Sequence, residues 1–178
     1  MKIRRKYIRG LVEQLLAKFS VSRAPVPVEK FAMSLGAKVC RTPADDDDLS
    51  GFMYRDRQAG TCVIGVNGAH PFNRQRFTIG HELGHFLLHD QDGVHVDRRF
   101  QVKMRNRASS EGTDIEELEA NLFAAEVLMP ASLLEGDLER IDIVDLEDEE
   151  VVAKLAHRYK VSTQAMTFRL AYLGYLQI

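Results

Sequence analysis

Between residues 2 and 19 the apolar positions are Ile8, Leu11, Val12, Leu15, Leu16 and Phe19, with charged residues between them. Spacings of three and four predict an amphipathic helix with one buried face. Pro25 and Pro27 break the chain after it. Residues 28–35 read as a short helix stopped by Gly36, and residues 37–41 as a strand. Residues 51–54 and 61–66 read as two more strands. The polar segment 55–60 between them predicts an antiparallel hairpin. Asn67-Gly68 marks a turn, and Pro71 suits the first turn of a helix reaching about His89. That helix is apolar on most sides near its end, through Phe77, Ile79, Leu83, Phe86, Leu87 and Leu88. Such a helix belongs in the middle of a fold.

The second half is more polar. Residues 90–112 predict a long connection, with a short strand at 100–104. Connections of this length are usually mobile or functional. Thr113-Asp114-Ile115-Glu116 matches a capping box and predicts the start of a second long helix, ended by Pro130. Short helices are expected from about Ala131 and about Glu147, and a last one from near Ser162 to Gly174. The pattern predicts an α+β fold: a small antiparallel or mixed sheet packed on a central helix, followed by helices. Residues 1–130 form the expected core, and residues 131–178 a helical region packed on it as one compact unit.

Composition changes this picture little. The chain has 178 residues, 45% apolar and 28% charged, enough for one real hydrophobic core. A formal charge of −2 gives no global field that asks for nucleic acid. Basic residues gather at 2–9 and 98–107, acids at 135–150, and each run reads as a solvated face. The acids at 45–48 are adjacent rather than alternating, so they read as a solvated turn and not a calcium loop. No apolar run approaches the roughly 20 residues that span a bilayer. The basic start lacks the continuous apolar core of a signal peptide. Two cysteines, Cys40 and Cys62, are too few for a disulfide scaffold. The expectation is a cytoplasmic protein with reduced thiols and no membrane partner.

Candidate chemistry centres on His81-Glu82-Leu83-Gly84-His85. Histidines four apart on a helix share a face, so both imidazoles can bind one ion. Zinc suits nitrogen ligands in a tetrahedral site and lowers the pKa of water in an open position to roughly 7. Glu82 lies about 100° round the helix from His81, placed to take that proton without being a ligand. Three polar groups in an otherwise apolar helix would cost several kcal/mol to bury without partners, and a metal removes that cost. Gly84 leaves room for another element to approach closely.

A catalytic zinc needs a third protein ligand. Cys40 and Cys62 could each supply a thiolate, with nothing to fix their placement. His89 lies roughly 6 Å further along the helix axis from His85 and reads better as a polar residue at the helix C-terminus. His95 follows in the connection. The second helix offers Glu116, Glu117, Glu119 and Asn121. Glu117 and Asn121 share a face, so one could bind the ion while the other orients a histidine. Glu119 competes with Glu117.

Arg76-Phe77-Thr78-Ile79-Gly80-His81-Glu82-Leu83-Gly84-His85-Phe86-Leu87-Leu88-His89, followed by the stretch from Glu117-Leu118-Glu119-Ala120-Asn121 to Leu128-Met129-Pro130, resembles the ImmA/IrrE family of metallopeptidases. The resemblance implies a zincin-like fold and a gluzincin-like site. His81, His85 and Glu117 are then zinc ligands, with Glu119 the alternative third ligand. Glu82 is the catalytic base and Asn121 orients a ligand. The resemblance also implies a substrate: a separate helix-turn-helix repressor of the Xre type, whose cleavage relieves repression of mobile-element or stress-response genes. The residue that stabilises the oxyanion is left open among Tyr54, Tyr159 and the histidines outside the motif.

A different reading rests on residues 151–173, a helix, a tight turn and a helix begun by Ser162. This resembles a helix-turn-helix, so the chain could be a DNA-binding or partner-binding regulator with a zinc site and no peptidase activity. The second helix is apolar at Met166, Phe168, Leu170 and Leu173 and lacks a set of base-reading side chains. A helical hairpin packed on the core, placed to grip the substrate, is the preferred expectation.

Overall fold

The computed structural model describes residues 2–44, 48–90, 92–98, 111–139, 146 and 148–177. It is an α+β fold with a mixed sheet of four strands. Helix α1 (Arg5–Lys18) buries Ile8, Val12, Leu15 and Leu16, the face its spacing predicts. Helix α2 (Val28–Ser34) leads into strand β1 (Ala37–Thr42). Strands β2 (Leu49–Asp56) and β3 (Thr61–Asn67) form the expected antiparallel hairpin, with Tyr54 opposite Val63. Strand β1 runs parallel to β3, so the sheet is mixed. Its order is β1-β3-β2-β4, which leaves β4 (Gly93–Arg98) at an edge.

Strand β4 falls within the stretch read from sequence as a connection, and the reason is physical. Its alternation is inverted. Val94 and Val96 are exposed, whereas His95 is half-buried on the inner face opposite Met53. Counting apolar residues therefore misses it. The strand expected at 100–104 lies outside the described residues, as do three of the four acids at 45–48. On the outer face Phe52 pairs with Val96 and Tyr54 with Val94. The Phe52 ring lies so close over Gly65 that a Cβ there would fall 2.1 Å from it.

Helix α3 (Phe72–Leu88) packs between the sheet and helix α4 (Glu111–Leu128). Helix α4 begins at Glu111, two residues before the Thr113 expected to open it. The α3–α4 contact is made through small residues. A Cβ on Gly84 would meet the Ala120 Cα at 3.0 Å and its carbonyl oxygen at 3.2 Å. One on Gly80 would meet the Ala124 Cα at 3.3 Å. Backbone rather than flexible side chain blocks both positions. Gly84→Ala should therefore cost about 1–3 kcal/mol by overpacking, despite alanine's better helix propensity. Urea unfolding of the two proteins checks this. A more stable Gly84→Ala protein would show that the helices part freely.

Helices α5 (Ala131–Leu138), α6 (Glu149–Tyr159) and α7 (Thr163–Tyr172) complete the fold. Helix α6 begins at Asp148, whose carboxylate accepts from the Glu150 N–H at 2.8 Å. It ends at Lys160, in the left-handed region at φ 55°. Ser162 then opens α7 by accepting from the Ala165 N–H at 3.1 Å. This is the helix, turn and helix seen in the sequence, but its faces differ from the expectation. Met166 and Leu170 are buried, whereas Phe168 is 56% exposed and Arg169 is buried in its place. One apolar cluster runs from Ile8 of α1 to Leu170 of α7. No helix among the described residues is long and apolar enough to cross a membrane.

Candidate metal centre

His81, Glu82 and His85 lie on the part of α3 that is closed off by the sheet and α4, and all three are buried. The His81 and His85 Nε2 atoms are 3.1 Å apart. The close α3–α4 crossing brings Glu117 to the same point. Its Oε2 is 3.5 Å from His81 Nε2 and its Oε1 is 3.2 Å from His85 Nε2. From the other side, β4 delivers His95, whose Nε2 is 3.2 Å from Glu117 Oε1. One donor atom from each of these four residues lies within 4.8 Å of all the others.

These donors fit a metal ion. Two imidazole nitrogens facing each other at 3.1 Å, both aimed at a carboxylate, need a cation between them or a shared proton. Donors bound at 2.0–2.2 Å in a tetrahedral site would be separated by about 3.4 Å, and the separations here run close to that. The protons also fit. Asn121 Oδ1 accepts from the His81 Nδ1–H at 2.9 Å, which leaves the Nε2 lone pair facing the cluster. Burial, followed by the neighbouring His85, pushes His81 down to about 4 against the pull of Glu117 and Asn121. His81 is thus neutral, the form that ligates, at pH 7. Burial works to raise the Glu117 carboxyl, but its bonds with His85 and His95 and the field of His81 hold it well below the usual carboxylate range.

His85 is oriented by a longer chain. Its Nδ1 faces His89 Nδ1 at 3.1 Å, and His89 Nε2 faces Glu119 Oε2 at 3.3 Å. With His85 Nε2 committed to an ion, its Nδ1–H donates to His89, and His89 Nε2–H donates to Glu119. Glu119 in turn accepts the Arg4 backbone N–H at 2.8 Å and the Arg4 guanidinium. That guanidinium holds the Glu119 carboxyl down at about 2. The structure therefore places Glu119 behind His89 at the start of α1, away from the four donors. His89, read from sequence as a helix-end polar residue, forms the middle of this chain. Glu119→Ala should weaken metal binding by about 10–100-fold through loss of His85 orientation. Competition against a chelating dye measures it, and unchanged affinity would show the chain to be inert.

The other candidates lie elsewhere. Cys62 is buried in β3, with its thiol pushed up by burial, and Cys40 is half-buried in β1. Neither belongs to the four-donor cluster found among the described residues. Tyr54 is on the outer sheet face. Tyr159 is buried beside α5, where its hydroxyl donates to Asp137 Oδ2 at 2.8 Å. His95 is the residue the sequence reading left unplaced. The available signal was the alternation Val94-His95-Val96, which marks a strand whose polar side faces inward. A cavity of about 590 Å³ opens beside His81 and Asn121, walled by Phe77, Val161 and Ala165.

Residues 32–171 match the peptidase family M78, described as the IrrE N-terminal-like domain. The chain belongs to that family. Within this family it is similar to the radiation response metalloprotease IrrE of Deinococcus radiodurans, 32% identical over 111 residues. It is also 33% identical over 112 residues to the protein of the same name from Deinococcus deserti. Each match covers 61% of this chain, but only 30% and 36% of those proteins. The chain thus spans about a third of the curated relatives it matches. A solved Mycobacterium tuberculosis transcriptional regulator shares the fold, with a TM-score of 0.60 at 13% identity. That match covers 93% of this chain and 46% of the other. The M78 domain here thus has a fold found within a longer chain, and a His and Glu donor set that suits the metal its family name implies.

Proposed function

We propose that this protein is a zinc-dependent endopeptidase that cleaves a separate helix-turn-helix repressor of the Xre type. One observation carries the catalytic half: a histidine and carboxylate donor set converges beside the buried Glu82, in a chain of a metallopeptidase family. Zinc is the ion these donors favour, since imidazole and carboxylate at tetrahedral separations leave no role for soft sulfur or for six oxygens. When bound, it supplies Lewis acidity to the scissile carbonyl and to the attacking water. His81, His85 and Glu117 would hold it.

The chain's own residues supply the rest. Glu82 takes the proton of the attacking water and passes it to the leaving amine nitrogen as the peptide bond breaks. Its burial keeps bulk water from competing for that proton. Asn121 and the His89–Glu119 chain hold the two imidazoles in the ligating tautomer. The cavity beside His81 gives an apolar side chain of the substrate a place next to the scissile bond.

The repressor half rests on the family resemblance of the two sequence segments. The names of the Deinococcus relatives, radiation response metalloproteases, agree with a role in relieving repression of stress-response genes. A substrate that binds DNA implies a cytoplasmic enzyme. DNA binding by this chain is disfavoured, because Arg169 of α7 is buried against Glu126 and has no reach to a phosphate. The test is co-expression with Xre-type repressors, with and without Glu82→Gln. A discrete cut that needs Glu82 supports the reading. Sequence-specific DNA binding with no cut favours the regulator instead.

A further inference from the structure

We propose that His95 is a fourth protein ligand, so that the resting metal site is closed by three histidines and one glutamate. The proposal rests on the metal reading of His81, His85 and Glu117, and goes beyond it. A peptidase site needs three protein ligands and one open position. Here a fourth donor points into the same space. His95 Nε2 stands 3.2 Å from Glu117 Oε1, the same separation as His85 Nε2 from that oxygen. Its ring centroid is 3.9 Å from that of His85 and 6.3 Å from that of His81.

Local structure supports the assignment. Strand β4 leaves Val94 and Val96 on the outer face opposite Tyr54 and Phe52 and turns the His95 imidazole inward, toward the donors of α3 and α4. His95 is 18% exposed and approaches from the side opposite α4. It therefore completes a ring of donors drawn from α3, α4 and β4. Among the described residues strand β4 lies at the edge of the sheet and pairs only with β2, with an irregularity between Leu49 and Gly51. It is the element of the site that can withdraw with the least disruption. Release of His95 would then create the open position, and the closed state would be a latent form of the enzyme.

Cobalt(II) loaded into the full chain tests this without reference to cleavage. His95→Cys should place a thiolate on the ion and add a near-ultraviolet thiolate-to-cobalt band absent from the parent protein. His95→Gln should lower cobalt affinity about tenfold or more and weaken the visible bands, as water replaces a protein donor. Absence of the thiolate band, or an unchanged affinity in His95→Gln, overturns the proposal. His81→Ala serves as the control. If it binds cobalt as the parent does, the metal reading itself fails; if it loses cobalt while His95→Gln keeps it, only the fourth ligand fails.

Discussion

Glu82→Gln is expected to bind metal as the parent does while losing cleavage by about 10²–10⁴-fold, the range of a general base. That factor corresponds to about 2.7–5.4 kcal/mol of barrier. The substitution keeps the size and shape of the side chain but exchanges one carboxylate oxygen for an NH2 donor, which removes the base that accepts the water's proton. None of the four clustered donors belongs to Glu82, so metal content should stay near one ion per chain. Replacing a buried carboxylate by a neutral amide lowers its desolvation cost, so stability should hold or rise. His81→Ala makes the contrast, since it removes a donor and should lose metal and cleavage together. Elemental analysis and the rate of repressor cleavage separate the two. Full cleavage by a metal-loaded Glu82→Gln protein would remove Glu82 from the mechanism, and metal lost along with cleavage would make it structural.

How far this site could be read from the sequence differs by residue. His81, Glu82 and His85 were legible because a helix of 3.6 residues per turn fixes the relation of neighbours three and four apart. Glu117 and Asn121 were legible as a pair for the same reason, but not the distance from α3 at which they would sit. That distance depends on Gly80 and Gly84 meeting Ala120 and Ala124. Only Gly84's role was foreseen. Glu119 shows the limit. Two residues from Glu117, it faces another direction on the helix, and its partners His89 and Arg4 lie just past the end of α3 and just before the start of α1. No local pattern announces a contact across 115 positions of chain. His95 was hidden for a different reason: an edge strand with its apolar side exposed has the composition of a loop. The capping box misled because a good local signal in 113–116 was overridden by a helix already formed at Glu111. In α7, apolar character does not tell that Phe168 is exposed, because the partner available in the core is the Glu126 carboxylate, which takes Arg169.

That last pair has the largest expected effect on stability. Arg169 and Glu126 are 1% and 6% exposed in their side chains, with Nη2 to Oε2 at 2.6 Å and Nη1 to Oε1 at 2.9 Å. Arg169 Nε also donates to the Met129 carbonyl at 2.9 Å, so the guanidinium ties α7 to the last turns of α4. The fork is bidentate and buried, and its two charges satisfy each other. Arg169→Ala leaves the Glu126 carboxylate and a carbonyl without their partner and is expected to cost about 3–5 kcal/mol. For a domain of this size, whose total stability is about 5–15 kcal/mol, that is a large share. Arg169→Met with Glu126→Leu should recover most of the loss, because it removes both charges together. Thermal unfolding of the single and double variants decides it. If the double variant is no more stable than Arg169→Ala, packing rather than the stranded charge accounts for the loss. The outcome also bears on the site. Helix α4 carries Glu117 and Asn121 toward its first half and Glu126 near its end, so the buried pair anchors the far end of the helix that supplies the carboxylate ligand. A protein whose α7 is pinned in this way presents Phe168 and Tyr172 to solvent rather than a row of basic side chains. That surface suits grip on a protein better than contact with phosphates.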